Sequence, residues 1–223
     1  MIDTAHSLGT RVAIHATNER SVGLAILLGA DTIEHGSNLT EEGLQLLAET
    51  DTIWSPTLSV MATLESPNKQ QTIDIFKAAI DRAVAGEIRI GVGGDTGPFP
   101  HGTNALELQL MKQFGAPPLH VLKWATVGNW EVVRGMYWEG DIGKERLKKL
   151  VELADDELVR ATIVAGDNGV PVGVLRRGFA ADIIAVSGDL EKDFDRAISA
   201  QGVQFVMKGG AIFKRDGVPT LPS

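Results

Sequence analysis

The sequence predicts an α/β fold on a parallel sheet, followed by a smaller all-β segment. Three observations point there. Short apolar runs alternate with stretches of helical periodicity through the first half of the chain. The strand candidates are apolar along nearly their whole length, as strands covered on both faces are. Towards the C-terminus the pattern changes to β-type segments, two of them joined by a glycine pair. Such alternation wraps a parallel sheet with helices. Four strand–helix units make half of an eight-unit barrel, although the periodicity alone also describes a doubly wound sheet.

The elements follow in order. Residues 11–16 (RVAIHA) read as a short buried strand, and residues 18–28 as a helix with Val22, Ala25, Ile26 and Gly29 on one face. Residues 31–35 (DTIEH) form the second strand. Thr40 is a suitable N-cap for a helix reaching Glu49, with Leu44, Leu47 and Ala48 inward. Residues 52–58 are a third strand candidate, followed by a loop with Pro67 and Asn68. Residues 69–85 are a helix with Ile73, Phe76, Ala79, Ile80 and Val84 at helical spacing, and residues 88–92 a fourth strand opening into GGDTGPFPHGTN. A helix is expected over residues 117–133, with Val121, Leu122, Ala125 and Val132 apolar. Residues 144–165 predict an amphipathic helix or helix pair, docked on the surface by Leu147, Leu150, Val151, Ala154 and Leu158. Segments 181–187, 203–208 and 211–214 are strands, the last two joined by Gly209 and Gly210. These elements divide the chain into residues 1–140, a helical insertion at 141–169 and a closing β segment at 170–223.

Composition narrows the function. The 223 residues carry 29 acidic and 21 basic side chains, a net charge of -8, which argues against a nucleic-acid or anionic-membrane surface. With no cysteine, a metal would need His, Asp, Glu or a modified Lys, a set that suits zinc, manganese or iron. No stretch approaches the roughly 20 apolar residues of a membrane helix. The N-terminus has neither a long apolar run nor a basic start, so no signal or transit peptide is expected and the cytoplasm is the default location.

Three polar residues sit at the carboxyl ends of strand candidates: His15 after VAI, His35 after TIE, and Asp95 after the fourth strand. In a parallel barrel these ends converge on the functional face, where two His and one Asp make a divalent-metal set. Taken singly, each is equally a hydrogen-bonded strand end. His101, six residues beyond Asp95, could meet substrate at the mouth of such a site or serve the loop. Glu34 should point away from its neighbour His35. His6 reads as a lone exposed histidine and His120 as an ordinary helix residue. Trp124, Trp130 and Trp138 read as packing. The glycines of GVGGDTG lack a P-loop ending and read instead as letting the backbone pass close to a metal site.

The segments HA, EHG, SPTL and GVGGDTGPFPHGTN, in this order, with GVLRRGFAADIIAVSGD and VQFVMKGGAIFKRDG behind them, resemble the amidohydrolase superfamily. The resemblance is strongest to its imidazolonepropionase-like and Xaa-Pro-dipeptidase-like branch. It implies the second half of a TIM-like (β/α)8 barrel plus part of a small β-sandwich. It makes His15 and His35 metal ligands after the fifth and sixth barrel strands. Asp95 becomes the aspartate after the eighth, which binds metal and shuttles a proton. The implied reaction is attack of metal-activated water on the carbon–nitrogen bond of a small amide or dipeptide, with one or two zinc ions. The family's His-x-His pair and carboxylated lysine have no counterpart here, and the position of a further histidine is Thr17. Little activity is therefore expected of this chain alone. A different class of function, a non-catalytic half-barrel that works through another chain, stays open, as does an oligomer.

Overall fold

The computed structural model describes residues 1–64, 67–158 and 169–220. They group into two compact units, one of Val12–Val132 and the other of Asp3–Arg11 with Val133–Ser223.

The first unit is built on a four-stranded parallel sheet in chain order: β1 (Ala13–Ala16), β2 (Thr32–His35), β3 (Ile53–Ser55) and β4 (Arg89–Ile90). Between β1 and β2 lies α2 (Glu19–Leu27), and between β2 and β3 lies α3 (Glu41–Ala48). Thr40 caps its helix as expected, accepting from the Gly43 amide, and Asn18, read as the first helical residue, is instead the N-cap of α2, accepting from the Ser21 amide. Their buried residues, Val22, Ala25 and Ile26 on one and Leu44 and Leu47 on the other, are those of the expected apolar faces. α5 (Lys69–Ala85) has the expected bounds and ends at Gly86, whose φ of 82° is a glycine C-cap. Ile33, Ile53, Trp54, Phe76, Leu44 and Leu58 are buried in the core of this unit.

Side chains shorten three strands against the sequence reading. At the start of β1, the Val12 amide donates to Asp31 Oδ2 at 2.7 Å instead of joining a ladder. At the end of β4, Asn129 takes over the Val92 backbone. The expected third strand 52–58 stops at Ser55, because Pro56 has no N–H to donate and Thr57 turns left-handed, at φ 51°. The chain then forms α4 (Leu58–Thr63), which the sequence did not announce. A further helix, α6 (Ala105–Gln113), also went unpredicted. The expected helix at 117–133 is broken: α7 (Pro118–Lys123) leads into a π-helical turn, Trp124–Gly128, before α8 (Asn129–Val133). Trp124 and Trp130 are buried packing residues, as expected.

In the second unit, α1 (Ile2–Ser7) precedes Arg11, and Met136–Trp138 form a 3-10 turn. The single helix allowed for 144–165 is not formed: α9 runs Gly140–Lys149, a 3-10 turn follows at Leu150–Glu152, and residues 155–158 are again helical. Leu150 is buried but Ala154 is exposed; residues 159–165 lie outside the described residues. Trp138 is buried and donates from Nε1 to the Gly169 carbonyl at 2.9 Å. Glu139 gathers Arg11 and Arg134, with Oε1 accepting from both, at 2.7 and 2.8 Å.

A four-stranded antiparallel sheet closes the unit: β5 (Ile183–Val186), β6 (Val203–Lys208), β7 (Ala211–Arg215) and β8 (Val218–Pro219), in that order. Gly209 and Gly210 join β6 to β7 with φ of 55° and 83°. Two consecutive positive values give a type I′ hairpin turn, matched to the twist of the strands.

Candidate functional site

Parallel pairing fixes where the candidate residues fall. Ala16 of β1 pairs with His35 of β2, and His15 with Glu34, so both histidines lie at the carboxyl end of the sheet on neighbouring strands. Their rings meet edge to face, with centroids 4.5 Å apart and planes at 72°. His15 is exposed and His35 buried. Glu34 accepts from Thr32 Oγ1 at 2.7 Å.

Several contacts fix His35. Its Nδ1 is hydrogen-bonded to Thr57 Oγ1 at 2.8 Å, leaving Nε2 as the ring atom open to another partner. Its carbonyl accepts from Trp54 Nε1 at 2.9 Å. Gly36 follows with φ 60°, and a Cβ there would come within 2.7 Å of Trp54 Nε1. The glycine of the EHG segment is thus required twice, by its dihedral and by the indole behind it.

Burial, and then the neighbouring His15, hold the His35 imidazole below its ordinary pKa. Asp95 and Glu34 act in the opposite direction. Asp95 is exposed, in the loop after β4.

Backbone strain marks the same places. Four non-glycine residues have positive φ among the described residues: His35 at 70°, Thr57 at 51°, Asp95 at 55° and Asp216 at 50°. The first three lie at the carboxyl ends of β2, β3 and β4. Such residues cost on the order of 1–3 kcal/mol each and gather at functional sites.

The loop after β4 is held from below. Asn129 Oδ1 accepts from the Val92 amide at 2.7 Å, and its Nδ2 donates to the Val92 carbonyl at 2.6 Å. One side chain thus replaces a neighbouring strand, and the π-helical turn immediately before it shifts Asn129 along the helix. Two glycines of GVGGD lie close to other parts of the fold rather than to a metal site, and Gly93 has open space around it. A Cβ on Gly91 would lie 2.7 Å from Ser55 Oγ, and one on Gly94 would lie 2.9 Å from Phe99 Cζ.

The least expected residue is Glu107. Although charged, it is 1% exposed. Its Oε1 accepts from the Leu58 amide at 2.9 Å and its Oε2 from the Ser59 amide at 2.6 Å. Burial raises its pKa to about 7, against the pull of the Ser59 and Leu58 bonds.

His101 is exposed in the loop between Asp95 and α6, and His120 stacks obliquely on Trp124 at 6.1 Å. Among the described residues, no three of His, Cys, Asp and Glu are arranged so that they could hold a metal ion.

No protein-family model matches the chain. Among curated proteins, an ochratoxinase of Aspergillus niger is 25% identical over 219 residues, 93% of this chain and 38% of its own length. A solved structure of a Xaa-Pro dipeptidase with methionine in its active site superposes with TM-score 0.71 at 23% identity, covering 96% of this chain and 47% of that one. A structure described as an amidohydrolase gives 0.66 at 21% identity, over 96% and 47%. The resemblance is to the amidohydrolase superfamily, in its Xaa-Pro dipeptidase-like branch. The amidohydrolase-like chain spans less than half the length of these relatives. A second curated likeness, to an uncharacterized protein of Mycobacterium tuberculosis, is 44% identical over 57 residues, 26% of this chain and 15% of that protein.

Thr57, Glu107 and Asn129 were not singled out in the sequence. Glu107 did leave a signal. It falls with Leu110 and Met111 at i, i+3 and i+4, the buried stripe of α6, and a lone acid on an apolar stripe needs buried partners.

Proposed function

We propose that these residues belong to a metal-dependent hydrolase of carbon–nitrogen bonds, acting on a small amide or dipeptide, and that the parallel sheet is the second half of a TIM-like barrel. The observation that carries this is the meeting of the His15 and His35 rings at adjacent strand ends, with Asp95 exposed in the loop after β4. By donor chemistry alone, two imidazoles and a carboxylate suit a divalent cation, zinc first. His35 has one nitrogen committed to Thr57 and the other open, which is how a ligating histidine is oriented.

His15, His35 and Asp95 would hold the cation. When bound, it supplies Lewis acidity that activates a water and polarises a carbonyl. His35 offers a lone pair on Nε2, its ring held in place by Thr57. Asp95, exposed and held at a strained backbone position, accepts a proton from the attacking water and returns it to the leaving nitrogen. His101 lies on the same loop, where it would meet the substrate.

The test is zinc-dependent cleavage of Xaa-Pro dipeptides and N-acyl amino acids by the protein as purified from its own source. Turnover that Asp95→Asn abolishes supports the reading, and turnover indifferent to zinc or to Asp95→Asn overturns it. One observation favours a second reading, in which the chain keeps the pattern without catalysis: no three-residue cage is present among the described residues. Zinc bound by both histidines without any turnover of the panel would favour that reading. The 223-residue chain alone is expected to hydrolyse the panel slowly or not at all.

A further inference from the structure

We propose that Glu107 is a positioning residue for the candidate site, setting the His35 ring through the turn that carries Thr57. The proposal rests on the reading of His35 as a metal ligand. The connection is short and continuous. Both carboxylate oxygens of Glu107 are used, one on the Leu58 amide and one on the Ser59 amide. These are the first amides of α4 and follow directly on Thr57, which stands left-handed and binds His35 Nδ1 at 2.8 Å.

A β-branched residue does not hold φ 51° unaided. Something must fix the backbone on its far side, and Pro56, without an N–H, cannot do it from the near side. Glu107 supplies that fixing from a separate helix. An apolar residue there would suit the core as well and would leave two buried amides without partners. The cost of burying the carboxylate is offset by what it orders: a hydroxyl aimed at one nitrogen of His35.

The bonds require oxygen acceptors at both positions. A glutamine side chain would present its NH2 to one of the two N–H groups, so Glu107→Gln breaks one bond at nearly constant volume. The turn then relaxes and the Thr57 hydroxyl leaves His35 Nδ1. Thr57→Val removes the same hydroxyl directly and leaves Glu107 untouched, while Glu107→Asp keeps the charge and withdraws it by one methylene.

The experiment has two readouts, neither of them catalytic. Long-range 1H–15N spectra of histidine-labelled, metal-free protein report the tautomer and hydrogen bonding of His35. Calorimetric titration with zinc sulfate reports affinity. Glu107→Gln and Thr57→Val are expected to move the His35 ring signals alike and to weaken zinc by about 10-fold or more, the usual effect of removing a residue that orients a ligand. Glu107→Asp should fall between them and wild type.

A folded Glu107→Gln with unchanged His35 signals overturns the proposal, even if its melting temperature falls. Failure of both Glu107 variants to fold also overturns it if Thr57→Val is folded and binds zinc like wild type, since the carboxylate would then serve the fold and not the histidine. If wild type binds no zinc, the metal reading itself fails, and the His35 signals still decide whether Glu107 acts on the ring.

Discussion

Glu107 should make the stability of this protein fall as pH rises from about 4.5 to about 7, and Glu107→Gln should remove that slope. Burial raises its pKa from 4.5 to about 7. A group whose pKa is raised by folding contributes stability that is fully present below the unfolded value and is lost as pH rises through the folded one. At ~1.4 kcal/mol per pH unit, the interval from 4.5 to about 7 corresponds to about 3 kcal/mol, lost mainly between those two values and constant above them. His35 works the other way. Its pKa is lowered, so its contribution is present above the ordinary imidazole value and is lost as pH falls through the folded one. The two slopes overlap, and wild type alone would show only their sum. Substituting His35→Gln in both proteins removes its slope, so the difference between Glu107→Gln and its parent isolates Glu107. The assay is urea unfolding followed by tryptophan fluorescence at half-unit steps from about pH 4.5 to about 8.5, a range that brackets both values. Relative to that parent, Glu107→Gln should gain about 3 kcal/mol across that range, with m-values unchanged. Parallel curves would refute the reasoning, because Glu107 would then titrate alike in the folded and unfolded chains.

Two further perturbations probe the supports of the site. Gly36→Ala meets both a φ of 60° and a Cβ position 2.7 Å from Trp54 Nε1, an indole with no room to retreat. It should cost about 3 kcal/mol in urea unfolding and alter the Trp54 environment. Asn129→Ala leaves the Val92 amide and carbonyl without their side-chain partner. It should cost about 2 kcal/mol and speed amide hydrogen exchange at Val92, while the His15 and His35 ring signals stay as they are.

Much of this was legible in the sequence, for physical reasons. The helix after Asn18, the helix capped by Thr40, the helix of residues 69–85 and the glycine hairpin depend on local chemistry, and local chemistry can be read in sequence order. That both histidines stand at the carboxyl end of the sheet was legible as well, because parallel neighbours carry their strand ends to the same side. What was not legible is what distant side chains do to backbone. Asp31 and Asn129 satisfy main-chain groups beside strand ends, and Glu107 the first amides of α4, across 19, 37 and 48–49 residues. α4 went unseen for the same reason, since its first amides are satisfied from α6. In residues 144–158, helical spacing was present but the chain breaks into a 3-10 turn at Leu150–Glu152.

The central claim is that His15, His35 and Asp95 together hold a divalent cation. The most direct measurement is calorimetric titration of the chain with zinc at about pH 7.5, where free imidazole is mostly neutral, set beside His15→Ala, His35→Ala and Asp95→Asn. One zinc per chain is expected for wild type, with affinity reduced by at least about 100-fold in either histidine variant and by a smaller factor in Asp95→Asn. Equal zinc affinity in wild type and both histidine variants, or no zinc bound by a folded wild type, would contradict the claim.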